Sequence, residues 1–142
     1  MEVKVKYLKE LMPPIKQSDK GDWIDLRSAA DITLYKGEFK LIPLGISMKL
    51  PDGYEAILVP RSSLFKNHGL FQTNGIGIID STYCGDNDEW SLPVIATRET
   101  HIELFERIAQ FRIQKKQAQL NFSSADSLGN EARGGFGSTG RF

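Results

Sequence analysis

The C-terminal segment Arg133–Phe142 contains four glycines, two hydroxyl residues and one internal aromatic residue. Backbone amides that no side chain shields, together with hydroxyls, suit the oxygens of a phosphate group. Phe136, in the middle of this segment, has a ring that could cover a flat base. The same composition is also typical of a disordered tail, because it cannot build a core. The segment therefore predicts either a disordered end or one that is ordered by an anionic ligand.

A second candidate anion site is formed by Arg61, Ser62 and Ser63. We expect a short helix over residues 62–67, with Ser62 as its N-cap and Gly69 as its stop. A guanidinium and two hydroxyls at a helix start, where backbone amides are free, favour a phosphate. Serine caps are also common on helices that bind nothing, so this stretch alone favours a structural role over a binding one.

Polar residues interrupt apolar stretches that are typical of strands. Asp80 ends the apolar run 75–79 and Tyr83 follows it, whereas Asp25 and Gln110 lie inside other apolar segments. Buried polar groups of this kind need hydrogen-bond partners. Asp80 and Tyr83 have an alternative reading as a turn residue and a core ring.

The chain lacks the residues for a disulfide, for a cysteine-based metal site and for several common catalytic and binding motifs. Cys84 is the single cysteine, which excludes an internal disulfide and a cysteine-based metal site. A catalytic thiol is disfavoured, since only His68 and His101 are available as partners and no nucleophile motif is present. The chain has no Walker loop, no histidine pair spaced for a metal and no aromatic–basic stripe.

The elements that must position these residues are mainly strands. Valines and a tyrosine alternate with lysines over residues 3–7, the period of a strand with one exposed face. Residues 39–50, the turn 51–53 and residues 54–59 predict a hairpin. Further short apolar runs recur between Gly, Pro, Asn or Asp, at residues 76–79, 90–96 and 108–113. This spacing predicts an all-β sandwich or barrel with one short helix.

Composition fits a single globular domain over residues 1–142, with 40% hydrophobic and 25% charged residues. Lys+Arg and Asp+Glu balance at 18 each, so no net field attracts nucleic acid or an anionic membrane. No apolar run approaches a membrane span and no signal-peptide core is present, so we expect a soluble, cytoplasmic protein. Residues 114–132 predict an arm that leads to a flexible lid of residues 133–142, and such arms often rest on a neighbouring subunit.

Five stretches, taken in the order of the sequence, resemble the five motifs of the homotrimeric dUTPases. The resemblance spans residues 21–140 and is carried by the segments 21–29, Pro60–Ser63, Gly77–Gly85, Arg107–Gln110 and Gly134–Gly140. It implies a β jelly roll, or distorted barrel, whose three active sites each draw residues from three subunits. It also implies hydrolysis of dUTP to dUMP and pyrophosphate, which limits uracil in DNA and supplies dUMP for thymidylate synthesis.

The resemblance also implies a role for each site residue. Asp80 would be the catalytic residue that activates the water attacking the α-phosphorus, and Asp25 would hold, through water, a Mg²⁺ ion bridging the triphosphate. The residues expected to contact the phosphates are Arg61, Ser62, Ser63, Gln110, Arg133, Gly137, Ser138 and Thr139. The residues expected to bind uracil and sugar, in a hairpin around residues 74–83 with an aromatic lid, are Asn74, Gly77, Ile78, Ile79, Tyr83 and Phe136.

The chain departs from the family pattern in several places. Asp22-Trp23 replaces Ala-Gly in the first motif, and Phe105 stands where a glycine is usual, which can alter a turn. An insertion, Asp-Asn-Asp-Glu, lengthens the segment between residues 85 and 90. Glu131 occupies the position of the usual arginine of the fifth motif, so we expect Arg133 to contact the γ-phosphate instead.

Two alternative functions follow from the same comparison. A dCTP deaminase, or a bifunctional deaminase–dUTPase, would need a glutamate aimed at cytosine, and no glutamate lies between residues 74 and 85. A regulatory interaction protein is the second alternative, because some phage-type members of the family bind repressors or other partners. The insertion before Trp90 is the only feature that suggests such a surface, and it also fits a solvated loop with Trp90 in the core.

Overall fold

A computed structural model describes residues 1–142 and contains eleven strands and one short helix. The elements are β1 (Lys4–Tyr7), β2 (Ile24–Arg27), β3 (Ile32–Leu34), β4 (Phe39–Pro43), β5 (Ile46–Lys49), β6 (Tyr54–Pro60), α1 (Leu64–His68), β7 (Leu70–Gln72), β8 (Gly77–Ile79), β9 (Ser91–Ala96), β10 (Thr100–Ile102) and β11 (Arg107–Lys115). The prediction of an all-β fold with one short helix is confirmed.

All strand pairs are antiparallel and form two larger sheets and two ribbons. The four-stranded sheet has the order β2-β11-β6-β8, and the three-stranded sheet has the order β4-β9-β7. The ribbons are β1-β5 and β3-β10. Sequence neighbours therefore often belong to different sheets, as expected for a jelly roll.

One core of nineteen buried hydrophobic residues joins these sheets. In β9, Leu92, Val94 and Ala96 point into this core while the intervening residues face outward, which is the period-two pattern of a strand. Trp90 is completely buried and packs edge-to-face on Phe111, with ring centroids 5.3 Å apart. The residue before β9 thus anchors the inserted segment to the core.

The predicted hairpin over residues 39–59 is wrong, although its turn is present. The Tyr54 amide donates to the Pro51 carbonyl at 3.2 Å, as a tight turn requires. However, β5 pairs with β1, whereas β6 pairs with β11 and β8. Gly45, with φ of 68°, also divides the first half into two strands. Turn residues mark where the chain reverses, but long-range packing decides which strands pair.

The helix lies close to its expected position but begins later. Ser63, rather than Ser62, occupies the N-cap, and it makes no side-chain capping hydrogen bond. Gly69 ends the helix in the left-handed conformation, as expected, and its amide donates to the Phe65 carbonyl at 2.7 Å. With five residues, α1 is too short to span a membrane, and no helix of this chain could do so.

The chain leaves the domain after β11. The Lys116 amide donates to the Gly53 carbonyl at 2.9 Å, and no later backbone amide bonds to the domain. Residues 116–142 form neither helix nor strand and are all exposed. The expected arm of residues 114–132 therefore includes the last two residues of β11.

Candidate active site

A cavity of about 410 Å³ opens beside β8. Its lining residues are Leu41, Leu58, Asn74, Gly77, Ile78, Ile79, Asp80, Tyr83, Glu89, Trp90, Ser91 and Pro93. Six of the predicted site residues therefore line this cavity. They are Asp80 and five of the six residues expected to bind uracil and sugar, and only Phe136 of that group is missing. The volume lies within the range of small-ligand pockets.

The back wall of this cavity is the contact between β6 and β8. Gly77 pairs with Leu58, and a Cβ atom at position 77 would lie 3.2 Å from both the Cβ and the carbonyl oxygen of Leu58. Only glycine allows the two strands to approach this closely without a shift. The expected hairpin around residues 74–83 is not a strand pair, because β7 bonds to β9 and β8 bonds to β6.

Asp80 follows β8 directly. It lies in a turn and also lines the larger cavity. Its Oδ1 atom accepts hydrogen bonds from the Thr82 hydroxyl at 2.7 Å and the Thr82 amide at 2.8 Å. The hydrogen bond from the Thr82 hydroxyl is the larger cause, and that from the Thr82 amide the smaller one, of a pKa for Asp80 below its ordinary value of 3.8. Asp80 is therefore an exposed, ionised carboxylate at neutral pH, and its Oδ2 atom makes no hydrogen bond within the chain.

Tyr83 forms the side of the cavity rather than part of the core. Tyr83 is 42% exposed, and its hydroxyl donates to the Glu89 carbonyl at 3.0 Å. The Glu89 carboxylate accepts from the Gly45 amide at 3.1 Å. The end of the inserted segment therefore supports the cavity wall.

The rest of the insertion also folds back onto the domain. The Asp88 carboxylate accepts from the Gly85 amide at 2.7 Å, and the Asp86 carbonyl accepts from the buried Ser47 hydroxyl at 3.3 Å. Trp90 is buried, as expected if the insertion is a loop leading into the core.

A second cluster of site residues is centred on Asp25. The Nε atom of Arg61 lies 3.1 Å from Oδ1 of Asp25, and the Nη1 atom of Arg107 lies 3.2 Å from its Oδ2. Adjacent strands bring these groups together, since Gln110 on β11 pairs with Asp25 on β2 and with Val59 on β6. The Gln110 side chain donates to the Pro60 carbonyl at 3.2 Å, next to Arg61.

A smaller cavity of about 200 Å³ adjoins this cluster. It is lined by Arg61, Ser63, Leu64, Asn67, His68, Glu106 and Arg107. Nε2 of His68 lies 3.0 Å from Oε2 of Glu106, while Nδ1 of His68 lies 2.7 Å from the Thr100 hydroxyl. Ser62 is exposed and does not line this cavity. The two cavities share no lining residue.

Several lining residues were not predicted from the sequence. Arg107 lies in the segment Arg107–Gln110, and its charge was the signal that could have identified it. His68 lies one residue beyond the helix predicted over residues 62–67 and outside every motif. Leu41, Ser91 and Pro93 reach the larger cavity through strand pairing between β4 and β9. No local pattern marks them, because the pairing is long-range.

The predicted tail residues lie apart from both cavities. Arg133, Phe136, Gly137, Ser138 and Thr139 are exposed and line neither of them. The tail instead forms two turns of its own, in which the amides of residues 138 and 140 donate to the carbonyls of residues 135 and 137.

The fold and the two cavities define a jelly-roll domain that can bind a small ligand with an anionic part. The family model described as dUTPase matches residues 11–140. The chain therefore belongs to the dUTPase family of deoxyuridine 5'-triphosphate nucleotidohydrolases, and it is a dUTP-hydrolysing enzyme.

Individual relatives agree with this assignment. The chain is 54% identical over 140 residues to the SPbeta prophage-derived deoxyuridine 5'-triphosphate nucleotidohydrolase YosS of Bacillus subtilis (strain 168), covering 99% of both chains. It is 37% identical to the deoxyuridine 5'-triphosphate nucleotidohydrolase of Thermobifida fusca (strain YX), covering 97% of this chain and 78% of the relative.

Solved structures share the fold. A variant of the phage 80alpha dUTPase superposes with a TM-score of 0.82 at 20% identity, covering 96% of this chain and 98% of the other. The dUTPase of Streptococcus mutans superposes with a TM-score of 0.72 at 20% identity, covering 85% and 100%. The predicted jelly roll is thus confirmed.

Proposed function

We propose that Asp80 is the general base of dUTP hydrolysis by this chain. The observation that carries this proposal is the geometry of its carboxylate, since Thr82 holds Oδ1 while Oδ2 is free at the cavity. In the proposed step, the oxygen of a water molecule forms a bond to the α-phosphorus as the bond to the bridging oxygen of the β-phosphate breaks. Pyrophosphate leaves, dUMP remains, and the proton of the water passes to Asp80.

The lowered pKa of Asp80 shapes this role. A carboxylate with a low pKa is a weak base, so Asp80 would mainly orient the water and accept its proton late in the step. General base assistance contributes about 10²–10⁴-fold. The remaining acceleration must come from positioning and from neutralising the phosphate charge.

The phosphates would bind at the cluster around Asp25. Arg61 and Arg107 are held by one carboxylate, and their side chains keep 31% and 50% exposure respectively. Guanidinium groups held in fixed orientations match phosphate oxygens with little loss of side-chain freedom. Ser63 and Gln110 would add hydrogen bonds next to them, and the exposed Ser62 hydroxyl would contact a more distant oxygen.

Asp25 also fits a role in holding Mg²⁺. The chain contains no cluster of three or more acidic, histidine or cysteine residues, so it offers no dedicated metal cage. Mg²⁺ keeps most of its waters and takes one or two carboxylates with substrate phosphates, so the single Asp25 suits it through water. Bound there, the ion would neutralise phosphate charge. The dUTPase of phage phi11 of S. aureus, a similar fold, coordinates a structural Mg(II) ion.

Uracil and deoxyribose would occupy the larger cavity. Backbone groups of Gly77 and Ile78, with the Asn74 amide, would pair with uracil, while Ile79 would pack beside the ring. Cytosine would leave buried polar groups unpaired, which discriminates strongly. Tyr83 would pack under the sugar and exclude a 2′-hydroxyl. A variant dUTPase of Staphylococcus bacteriophage 80alpha, another similar fold, has been solved with dUpNHpp.

We further propose that the active sites are shared within a homotrimer. The separation of the two cavities supports this, since one nucleotide would use one cavity from each of two subunits. An exposed apolar face on the three-stranded sheet also supports it. There Phe39 and Phe71 flank Ile95 in register, and Phe65 contacts Phe71 with ring centroids 4.7 Å apart. Such faces are typical of interfaces.

The arm has its own candidate position in the trimer. Ala118, Leu120 and Phe122 alternate with polar residues, which is the pattern of a strand, yet they are exposed and unpaired. An apolar groove of about 410 Å³ lies between β1 and β2, and each of these strands pairs on one side only. The arm of a neighbouring subunit could add a strand there.

The tail would then close the site. Phe136 adopts φ of 51° and is fully exposed. Because the side chain is exposed, its ring is free to stack on uracil. The backbone and hydroxyls of Gly137, Ser138 and Thr139 would contact phosphates, with Arg133 at the γ-phosphate. The lid would be ordered when substrate is bound.

The decisive assay is pyrophosphate release in the presence of Mg²⁺ from dUTP, dCTP, dTTP and UTP. We expect turnover of dUTP alone, and a loss of at least about 10²-fold in kcat for Asp80→Asn with dUTP binding retained. Asp52→Asn, in the exposed turn after β5, is the matched control and should behave as wild type. Normal hydrolysis by Asp80→Asn would refute the mechanism, and ammonia release from dCTP would indicate a deaminase.

A further inference from the structure

Gln72, the last residue of β7, carries an unusual pair of buried polar atoms. Its Nε2 atom donates a hydrogen bond to the Leu58 carbonyl at 3.1 Å. Its Oε1 atom is buried and has no hydrogen-bond partner within the chain. The amide cannot be reversed, because Oε1 would then face the carbonyl oxygen of Leu58.

This arrangement is costly if its only purpose is packing. A methionine has nearly the same length and would fill this space without a buried, unpaired acceptor. Unsatisfied buried groups are rare in native proteins, and each one calls for an explanation. The amide of Gln72 is therefore expected to do something that an apolar side chain would not.

The position of Gln72 supplies that explanation. Leu58 and Gly77 are register partners and line the larger cavity, whereas Gln72 contacts both of them but does not line the cavity itself. A Cβ atom on Gly77 would lie 3.2 Å from Nε2 of Gln72. The amide group thus lies against the strand pair at Gly77, a residue that lines the cavity.

Gln72 also connects two sheets that share no ladder at this point. Its backbone belongs to the three-stranded sheet, where it pairs with Val94, and the next amide, that of Thr73, donates to the Pro93 carbonyl at 3.0 Å. Leu58 and Gly77 belong to the four-stranded sheet. The bond from Gln72 therefore fixes the wall at Gly77 relative to the wall at Pro93, which also lines the cavity.

We propose that Gln72 is a positioning residue that sets the selectivity of the cavity for its base. This inference rests on the proposed function, in which backbone groups of Gly77 and Ile78 pair with uracil. A polar readout of this kind depends on the placement of the strand, since a displacement of about 1 Å can cost orders of magnitude. Without the amide, β8 would move relative to β9, and the pairing with uracil would lose part of its advantage over cytosine.

The test compares Gln72→Met with wild type. We expect KM for dUTP to rise by roughly three- to tenfold, the equivalent of one hydrogen bond, with kcat changed by less than about twofold. The ratio of kcat/KM for dUTP to that for dCTP should fall by a similar factor. The melting temperature should be retained or raised, because the unpaired acceptor is gone. Gln114→Met is the matched control, since Gln114 bonds to Glu55 on an exposed surface.

A wild-type KM and a wild-type selectivity ratio in Gln72→Met would overturn the proposal. A lowered melting temperature with an unchanged ratio would also overturn it, because that outcome indicates packing alone. Should the methionine variant fail to fold, Gln72→Leu provides the same comparison. Failure of the proposed function would appear separately, as absent dUTP hydrolysis in the wild type or normal turnover by Asp80→Asn.

Gly77→Ala provides an independent check through coupling. The added methyl would press on Nε2 of Gln72, so the substitution should lower the selectivity ratio in the wild-type background. In the Gln72→Met background, its additional effect on the ratio should be smaller, since the two changes act on one contact. Strictly additive effects on the ratio would contradict the proposal.

Discussion

Asp25 lies on β2 and Arg61 directly follows β6, and these two strands do not pair with each other. Nevertheless, Nε of Arg61 lies 3.1 Å from Oδ1 of Asp25. The strand between them, β11, supplies Arg107 to the other carboxylate oxygen at 3.2 Å. One carboxylate therefore orients two guanidiniums before any substrate is present. Such pre-orientation reduces the entropy lost when an anion binds.

This relationship predicts the behaviour of Asp25→Asn. An amide would orient the two arginines poorly and would be a weak partner for a water-bound Mg²⁺. We expect the Mg²⁺ concentration for half-maximal activity to rise by about 10- to 100-fold, the usual effect of losing an outer partner of a metal. Titration of dUTP hydrolysis with Mg²⁺ measures this. Asp19→Asn, at an exposed position, is the control, and an unchanged titration in Asp25→Asn would exclude Asp25 from the metal site.

Thr82 should set the acid limit of the reaction. Its hydroxyl is the first cause of the lowered pKa of Asp80, so Thr82→Val, which removes the hydroxyl and keeps the shape, should raise that pKa. Asp80 must be ionised to act as a base. The acid limb of kcat/KM against pH should therefore move to higher pH in the variant, with little change at pH 8. Thr73→Val, also at an exposed threonine, should leave the limb in place.

The same shift fixes the sign of a stability effect. Because the folded-state pKa of Asp80 lies below the ordinary value of 3.8, its contribution to stability is present above that pH. The contribution is lost as the pH falls through the folded-state pKa. Thr82→Val should thus be destabilised relative to wild type at pH 7, and the difference should disappear under strongly acidic conditions. Urea unfolding at several pH values measures it.

Phe105 stores backbone strain two residues before Arg107, which belongs to the cluster around Asp25. It adopts φ of 68°, the left-handed conformation that glycine prefers, while its amide donates to the Ser28 carbonyl at 2.8 Å. Phe105→Gly and Phe105→Ala both remove the ring, but only glycine relieves the strain. We expect the glycine variant to be the more stable of the two by about 1 kcal/mol in urea unfolding. Equal stability would indicate that the turn relaxes around alanine.

Arg133 should act on the triphosphate and not on the nucleoside. Arg133→Ala should weaken binding of a non-hydrolysable dUTP analogue by about tenfold, as expected for one charged hydrogen bond, and leave dUMP binding nearly unchanged. Titration calorimetry with both ligands measures this. Arg141→Ala is the control, since Arg141 lies over Phe142 at 5.3 Å within the same tail. Equal losses for both ligands would mean that Arg133 does not contact the γ-phosphate.

The sequence predicted the parts of the site that depend on local chemistry. Asp80 at the end of a strand and Gly69 at the end of the helix needed only neighbouring residues to be recognised. The strand pairs were not predictable in this way. The turn at residues 51–53 suggested a hairpin, yet β5 pairs with β1 some forty residues away along the chain. Gln72 was missed for the same reason, since its partners, Leu58 and Gly77, are brought to it by tertiary packing.

The arm supplies the most direct test of assembly. Phe122 is 91% exposed in the isolated chain, so Phe122→Asp should cost this chain little by itself. If the side chain is buried in the groove of a neighbour, an aspartate there would carry an uncompensated charge into an apolar site. We therefore expect sedimentation to show dissociation of the proposed trimer at concentrations where wild type is intact, with dUTP hydrolysis lost in parallel. Asn121→Asp, one residue earlier on the polar face of the arm, should leave both unchanged, and an intact, active Phe122→Asp trimer would exclude this docking of the arm.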